Sequence, residues 1–299
     1  MKLVIVGSVA IDDVETPSGR RENSLGGSAI YASLAASKFT LPGIVGVVGD
    51  DYPASALKVL EDNRIDFTGL EMVKGKTFRW QGKYHDLNKA ETKNTQLNVF
   101  ANFSPVIPKK YQSPKTLFLA NIHPQLQLEV IAQIGKPQII ALDTMDFWIS
   151  GEFKLLEKAI RKTRIMFINE DEIRQLTGVH NIYQAGDKLL KMGPEYIIIK
   201  RGEYGSLALG KNFLFMIPVY PVREVFDPTG AGDSFAGGFL GYITKARSLT
   251  PHTIKKAMIY GTVAASFNIE SFSFDRLEKT KMVDLAKRVH FFQESMSLK

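Results

Sequence analysis

The sequence predicts an α/β fold: a mostly parallel sheet covered by helices on both faces. Two observations predict it. Short apolar runs alternate with helical patterns along most of the chain. The runs are apolar throughout, as strands buried on both faces must be. KLVIVGS (2–8) is the first strand, ending in Gly-Ser. GGSAIYASLAASKF (26–39) reads as a helix entered through Gly26 and Gly27. GIVGVVG (43–49) is a strand, and PASALKVLEDN (53–63) a helix with proline in its first turn. TLFLANI (116–122) leads to LQLEVIAQIG, QIIALDT (138–144) to FKLLEKAIRKT, and IMFINE (165–170) to DEIRQLTG. YIIIKRG (196–202) follows a further helix, and the last 70 or so residues read as mostly helical.

Two polar stretches interrupt the rhythm, residues 13–25 and 68–103. In the second, Phe78, Trp80 and Tyr84 alternate with Arg79, Gln81 and Lys83, a period of two that means strand. Together they predict a small β lid inserted in one folding unit, residues 1–299. No repeat, low-complexity tract or linker divides the chain.

Composition narrows the classes. The 299 residues are 44% hydrophobic and 23% charged, which is ordinary globular usage with ample material for a core. There is no cysteine, hence no disulfide framework or thiolate metal site. The start, MKLVIVGSVAIDDV, lacks the cleavage pattern of a leader, and no apolar run approaches the roughly 20 residues of a membrane span. The expectation is a cytoplasmic protein with no membrane partner. Net charge is +7, which steers anions such as nucleotides or sugar phosphates. The basic residues come as scattered pairs without a nucleic-acid motif, so no nucleic-acid partner is expected. The five histidines have no metal-ligand spacing.

Chemistry concentrates in FDPTGAGDSFAGGFLGYI, residues 226–243. Gly230, Ala231 and Gly232 leave their N–H groups open to close approach. A helix starting there makes an anion site of its free N–H groups and dipole. Asp233 stands at the same helix mouth, where a carboxylate can accept a proton from a hydroxyl attacking phosphorus. Helix capping accounts for such an aspartate equally well. Gly237 and Gly238, each costing roughly 1 kcal/mol inside a helix, point to close packing against sheet or ligand. Neither GxxxxGK[ST] nor GxGxxG occurs, so phosphate is not cradled by those loops.

DPTGAGDSFAGGF closely resembles the C-terminal signature of the PfkB/ribokinase family of carbohydrate kinases, and the resemblance extends over nearly the whole chain. It implies a ribokinase-like three-layer α/β/α fold with a β lid, and ATP-dependent phosphorylation of a sugar-like alcohol with Mg²⁺. It implies Asp233 as the base and Gly230, Ala231 and Gly232 as the anion hole. Asp227 and Thr229 would help hold a monovalent cation such as K⁺. Asp12, Gly26 and Gly27 would bind the acceptor. Where many family members carry GGxxxN, this chain has Tyr31, which puts ribose or fructose as acceptor in doubt. Asn169 and Glu172 match the family's NxxE element, tied to Mg²⁺ through water, although the same pair spells a capping box. Lys200 and Gly202 would meet the nucleotide phosphates, and Asn268 the adenine. Arg79, Trp80 and Tyr84 are lid candidates, and lids in several members pair with another subunit, giving a homodimer. The reading is a kinase of a small sugar or sugar-like acceptor. A nucleoside or inositol kinase is the alternative, motivated by Tyr31 and the aromatic lid, and a non-catalytic sugar or nucleotide sensor the third.

Overall fold

The computed structural model describes residues 1–296. The chain opens with β1 (Leu3–Val6), four aliphatic residues, all buried. It then leaves the core to build a hairpin, β2 (Ala10–Thr16) and β3 (Gly19–Gly26). Gly27 caps α1 (Ser28–Ser37), and β4 (Pro42–Gly49) returns parallel to β1. α2 (Ala54–Asp62) connects to β5 (Asp66–Val73) at the sheet edge, and a second hairpin follows, β6 (Phe78–Asp86) and β7 (Lys89–Gln96). Strand and helix then alternate: β8 (Thr116–Leu119), α3 (Pro124–Gln133), β9 (Ile139–Leu142), α4 (Asp146–Gly151), α5 (Phe153–Ile160), β10 (Ile165–Asn169), α6 (Glu170–Thr177), α7 (Ile182–Leu190) and β11 (Tyr196–Lys200). β12 (Ser206–Gly210) and β13 (Phe213–Ile217) close the sheet antiparallel. The chain ends in α8 (Ala231–Ala246), α9 (Pro251–Asn268), α10 (Asp275–Lys279) and α11 (Met282–Ser295).

The central sheet has nine strands in the order β13-β12-β11-β10-β9-β8-β1-β4-β5. Successive side chains of a strand point to opposite faces. Leu3 and Ile5 therefore join Phe118 and Phe167 against α1, α8 and α9, whereas Val4 and Val6 join Leu117 and Met166 against α5, α6 and α7. Each fully buried aliphatic or aromatic side chain contributes about 1.5–3 kcal/mol. The predicted three-layer arrangement is what forms. Among the described residues, no helix is long and apolar enough to cross a membrane.

The glycines of α8 pack against helices, not against ligand. A Cβ on Gly237 would lie 2.1 Å from the Ala32 carbonyl oxygen of α1, and one on Gly238 2.8 Å from Ala264 Cβ of α9. Their cost in helix propensity is offset by letting α8 sit tightly between two neighbours.

The lid is a four-stranded sheet in the order β3-β2-β6-β7, with β2 and β6 parallel. Its boundaries differ from the sequence expectation. It begins at Ala10, and residues 68–73 belong to β5 of the central sheet. The reason is that β5 is an edge strand with Thr68, Glu71 and Met72 exposed, so it reads as polar. Residues 98–102 form a 3₁₀ turn. The period of two in β6 has a direct cause. On one face Gln81 bonds Asp13 at 2.9 Å, Lys83 pairs with Glu15 at 2.6 Å, and Arg79 bonds Asn23 at 2.9 Å. The opposite face, with Trp80, Gly82 and Tyr84, turns inward.

Candidate active site

The site forms where α8 begins. Gly230 has φ 73°, a left-handed conformation that glycine adopts without strain. Ala231 N–H is used by the Pro228 carbonyl at 3.1 Å, whereas those of Gly232 and Asp233 have no acceptor among the described residues. Ala231 thus shapes the turn, while the N–H groups of Gly232 and Asp233, and that of Gly230 before them, stay free among the described residues with the helix dipole behind them.

The turn is held from three sides. Asp227, fully buried, accepts from the N–H of Thr229 and of Ser273, each at 2.9 Å. Asn268 donates to the Thr229 carbonyl at 2.8 Å and accepts from Ser234 at 3.2 Å. Tyr31 lies beneath, and a Cβ on Gly230 would come within 2.3 Å of its ring. These contacts bear on three expectations. Asn268 has no exposed surface and braces the turn instead of meeting adenine. Tyr31, 2% exposed, expected at the acceptor, is the floor of the turn. The carboxylate of Asp227 and the carbonyl of Thr229, expected to hold a cation, are already engaged by protein N–H groups.

Asp233 stands half-buried on the first turn of α8, its carboxylate without a hydrogen bond among the described residues. Burial raises its pKa, the charge of Asp143 raises it further, Lys200 partly restores it, and the result is about 7. Lys200 ends β11 and pairs with Asp143 at 2.6 Å. Burial lowers the lysine pKa, but Asp143, Glu172 and Asp233 outweigh it and the net shift is upward. Lys200 Nζ also lies 3.2 Å from where a Cβ on Gly232 would stand, so a fixed positive charge sits beside the helix mouth. Asn169 and Glu172 form the full capping box of α6, at 2.8 and 2.9 Å. Capping does not exhaust Glu172. Burial pushes its carboxyl up to about 7, within reach of both Lys200 and Asp143.

On one side of the helix mouth lies a cleft of about 390 Å³. Lys200, Gly202, Ala231 and Gly232 form its polar end. Tyr220, Val222, Val225, Ala265 and Ile269 line an apolar slot at the other. Ser206 contributes a buried hydroxyl without a partner. The lid reaches this cleft too: Asn88, at the β6–β7 tip, donates to Glu203 at 3.1 Å and accepts from its N–H at 3.3 Å.

On the other side lies Asp12, 4% exposed, on β2 of the lid. Its pKa is well above the usual carboxylate range through burial, then through Asp227, Asp13 and Asp233. Gly26 leaves it room, since a Cβ there would fall 1.9 Å from Asp12 Oδ2. Gly27, with φ 98°, lets α1 start against the Ser8 backbone. Tyr84 closes the lid on the turn, its hydroxyl accepting from Thr229 at 3.2 Å. Trp80 lies over Gly82, where a Cβ would be 2.0 Å from the indole, and donates to Thr92 at 3.2 Å. Of the three lid candidates, Tyr84 meets the turn before α8, and Trp80 lies on the same lid face as Tyr84. Arg79 faces outward to Asn23 and Asp51.

Sequence reasoning missed Asp143, Ser206, Asn88 and Tyr52, whose buried phenol lies within electrostatic reach of Asp12. Asp143 had a signal, an acid at the end of a buried strand. The others had none, because turn and strand residues of these types are common.

Comparison with known proteins agrees with this geometry. The family model described as pfkB family carbohydrate kinase matches residues 1–280. The cytidine kinase of Thermococcus kodakarensis is 31% identical over 256 residues, covering 83% of this chain and 91% of that one. The nucleoside kinase of Burkholderia thailandensis, solved with inosine, superposes with TM-score 0.81 at 16% identity, over 97% of this chain and 98% of that one. A ribokinase II from E. coli, solved with ATP and Mg²⁺, gives TM-score 0.80 at 17% identity, over 97% and 99%. The chain belongs to the pfkB family of carbohydrate kinases, which are ATP-dependent phosphotransferases.

Proposed function

We propose that this kinase phosphorylates a hydroxyl of a nucleoside, with ATP as donor. The observation that carries the acceptor class is the lid's inner face. Asp12 and Trp80 are register partners on β2 and β6, so a carboxylate for sugar hydroxyls stands beside an indole lying flat over Gly82. A nucleoside offers both a hydroxylated ring and a planar base. The relatives named cytidine and nucleoside kinase support the same reading.

In this mechanism ATP lies in the slot with its γ-phosphate at the N–H groups of Gly232 and Asp233. Asp12 holds the acceptor from the other side. Asp233 takes the proton of the attacking hydroxyl, the hydroxyl oxygen bonds to the γ-phosphorus, and the bond to the bridging oxygen breaks, releasing ADP. The helix mouth and Lys200 stabilise the charge on the transferred group. The residues fit Mg²⁺ bound mainly through water. Asp143 and Glu172 lie near the phosphate position, and among the described residues no three acids or histidines converge as a direct ligand set. When bound, the ion neutralises phosphate charge. The closed lid keeps water from the γ-phosphate.

Two outcomes test this. Trp80→Ala raises KM for nucleosides roughly 5- to 100-fold, the value of one lost base–aromatic stack. It leaves turnover of any free pentose unchanged. Equal effects on both acceptors, or turnover of free sugars alone, would exclude the nucleoside. Second, kcat/KM for the acceptor falls about tenfold per pH unit below about pH 7, because only the carboxylate form of Asp233 accepts a proton. A flat profile between about pH 5 and 8 contradicts Asp233 as base.

A further inference from the structure

One buried polar group on the acceptor side has no task in the mechanism above. Ser24, on β3, is 4% exposed, and its hydroxyl has no hydrogen-bond partner. Buried hydroxyls are almost always paired, so an orphan beside a candidate site calls for a partner from outside the chain, a ligand or a water. Its position says which ligand. Ser24 and Asp12 are directly opposed on antiparallel β3 and β2, so their side chains stand on the same face of the lid. Asp12 is opposed in turn to Trp80 on β6. The inner face thus carries the row Ser24, Asp12, Trp80. The carboxylate of Asp12 also lacks a hydrogen bond within the chain. The outward neighbours differ. Asp13 is occupied by Asn23 N–H at 2.8 Å and by Gln81 at 2.9 Å. Unsatisfied groups occur on the inner face, next to each other.

We propose that Ser24 is a specificity residue that binds one of two adjacent hydroxyls of the acceptor's sugar ring, Asp12 holding the other. A carboxylate accepts only, whereas a serine hydroxyl both donates and accepts. The pair therefore matches a diol, in which one hydroxyl donates to Asp12 and its neighbour exchanges a hydrogen bond with Ser24. Removing one hydroxyl from the substrate leaves Ser24 buried and unpaired, which penalises the deoxy acceptor. The inference rests on Asp12 facing the acceptor, but not on the acceptor carrying a base.

The experiment compares wild type, Ser24→Ala and Ser24→Cys on a ribonucleoside and on its 2′-deoxy and 3′-deoxy counterparts. If wild type turns over only free pentoses, ribose and the corresponding deoxyriboses take their place. That outcome would sink the nucleoside reading while leaving Ser24 fully tested. The expected result is a loss of about tenfold in kcat/KM for the diol acceptor in both variants. One deoxy acceptor keeps its wild-type value, so discrimination between the two collapses. The melting temperature stays the same or rises, since an unsatisfied hydroxyl is removed. A loss of equal size on all acceptors, or none on any, overturns the proposal: the first means a structural role, the second a hydroxyl satisfied by water.

Discussion

Asp233→Asn lowers kcat by about 10²–10⁴-fold, the range of a positioned general base, while nucleotide and acceptor still bind. The substitution keeps shape and removes only the ability to take a proton. Folding is undisturbed, because the carboxylate makes no hydrogen bond that asparagine would lose. Affinity for the triphosphate holds or tightens, since a negative charge leaves the helix mouth. The required measurements are turnover and calorimetric titration with a non-hydrolysable ATP analogue. A variant that keeps more than about a tenth of wild-type kcat shows that positioning and charge carry the reaction without this base. A variant that loses nucleotide binding as well shows a structural role, the capping aspartate that the sequence equally allowed.

Gly230→Ala has the second-largest expected effect. At φ 73° any side chain is strained, by about 1–2 kcal/mol. The new methyl would also meet the Tyr31 ring at 2.3 Å. Tyr31 cannot retreat far, because it is buried and packed edge-on against Phe274 at 5.8 Å. The turn must rotate instead, and the N–H groups of Gly232 and Asp233 rotate with it. Loss of one aligned donor costs about 10²–10³ in kcat. The double variant Gly230→Ala, Tyr31→Ala removes the collision but keeps the strain, so it recovers part of the activity. If Gly230→Ala alone retains full turnover, the two free N–H groups are not the anion hole.

Much of the site was legible before any coordinates. DPTGAGDSFAGGF marks a glycine turn entering an apolar helix with an acid at its mouth, and that is a local arrangement of residues close in sequence. The left-handed Gly230 and the acid in the first turn of the helix follow from it, whereas the bond from Ala231 N–H to Pro228 and the free N–H of Asp233 do not. Lys200 and Gly202 were legible as residues at or just past the end of a buried strand, where parallel sheets hold ligands, and both line the cleft. The capping box of Asn169 and Glu172 was legible as well, being a three-residue pattern.

What stayed hidden shares one cause. Tyr31, Asn268 and Asp227 are polar residues whose partners lie far along the chain: Gly230 for Tyr31, Thr229 and Ser234 for Asn268, Ser273 for Asp227. A sequence shows that such a residue can bond, not with what. The same limit hid Ser24, an ordinary serine until its register with Asp12 is known, and Asn88, which meets Glu203 only because the lid folds across the cleft.

The sequence by itself determined the layered α/β fold, the alternation of buried strands and helices, and the glycine turn that starts α8 with an acid in its first turn. Periodicity and backbone conformation are short-range properties, fixed within a few residues. Tertiary structure alone decided which polar groups are consumed by the fold and which remain free to bind substrate. That allocation depends on burial and on contacts between distant segments, which set the energetic cost of leaving a polar group unpaired.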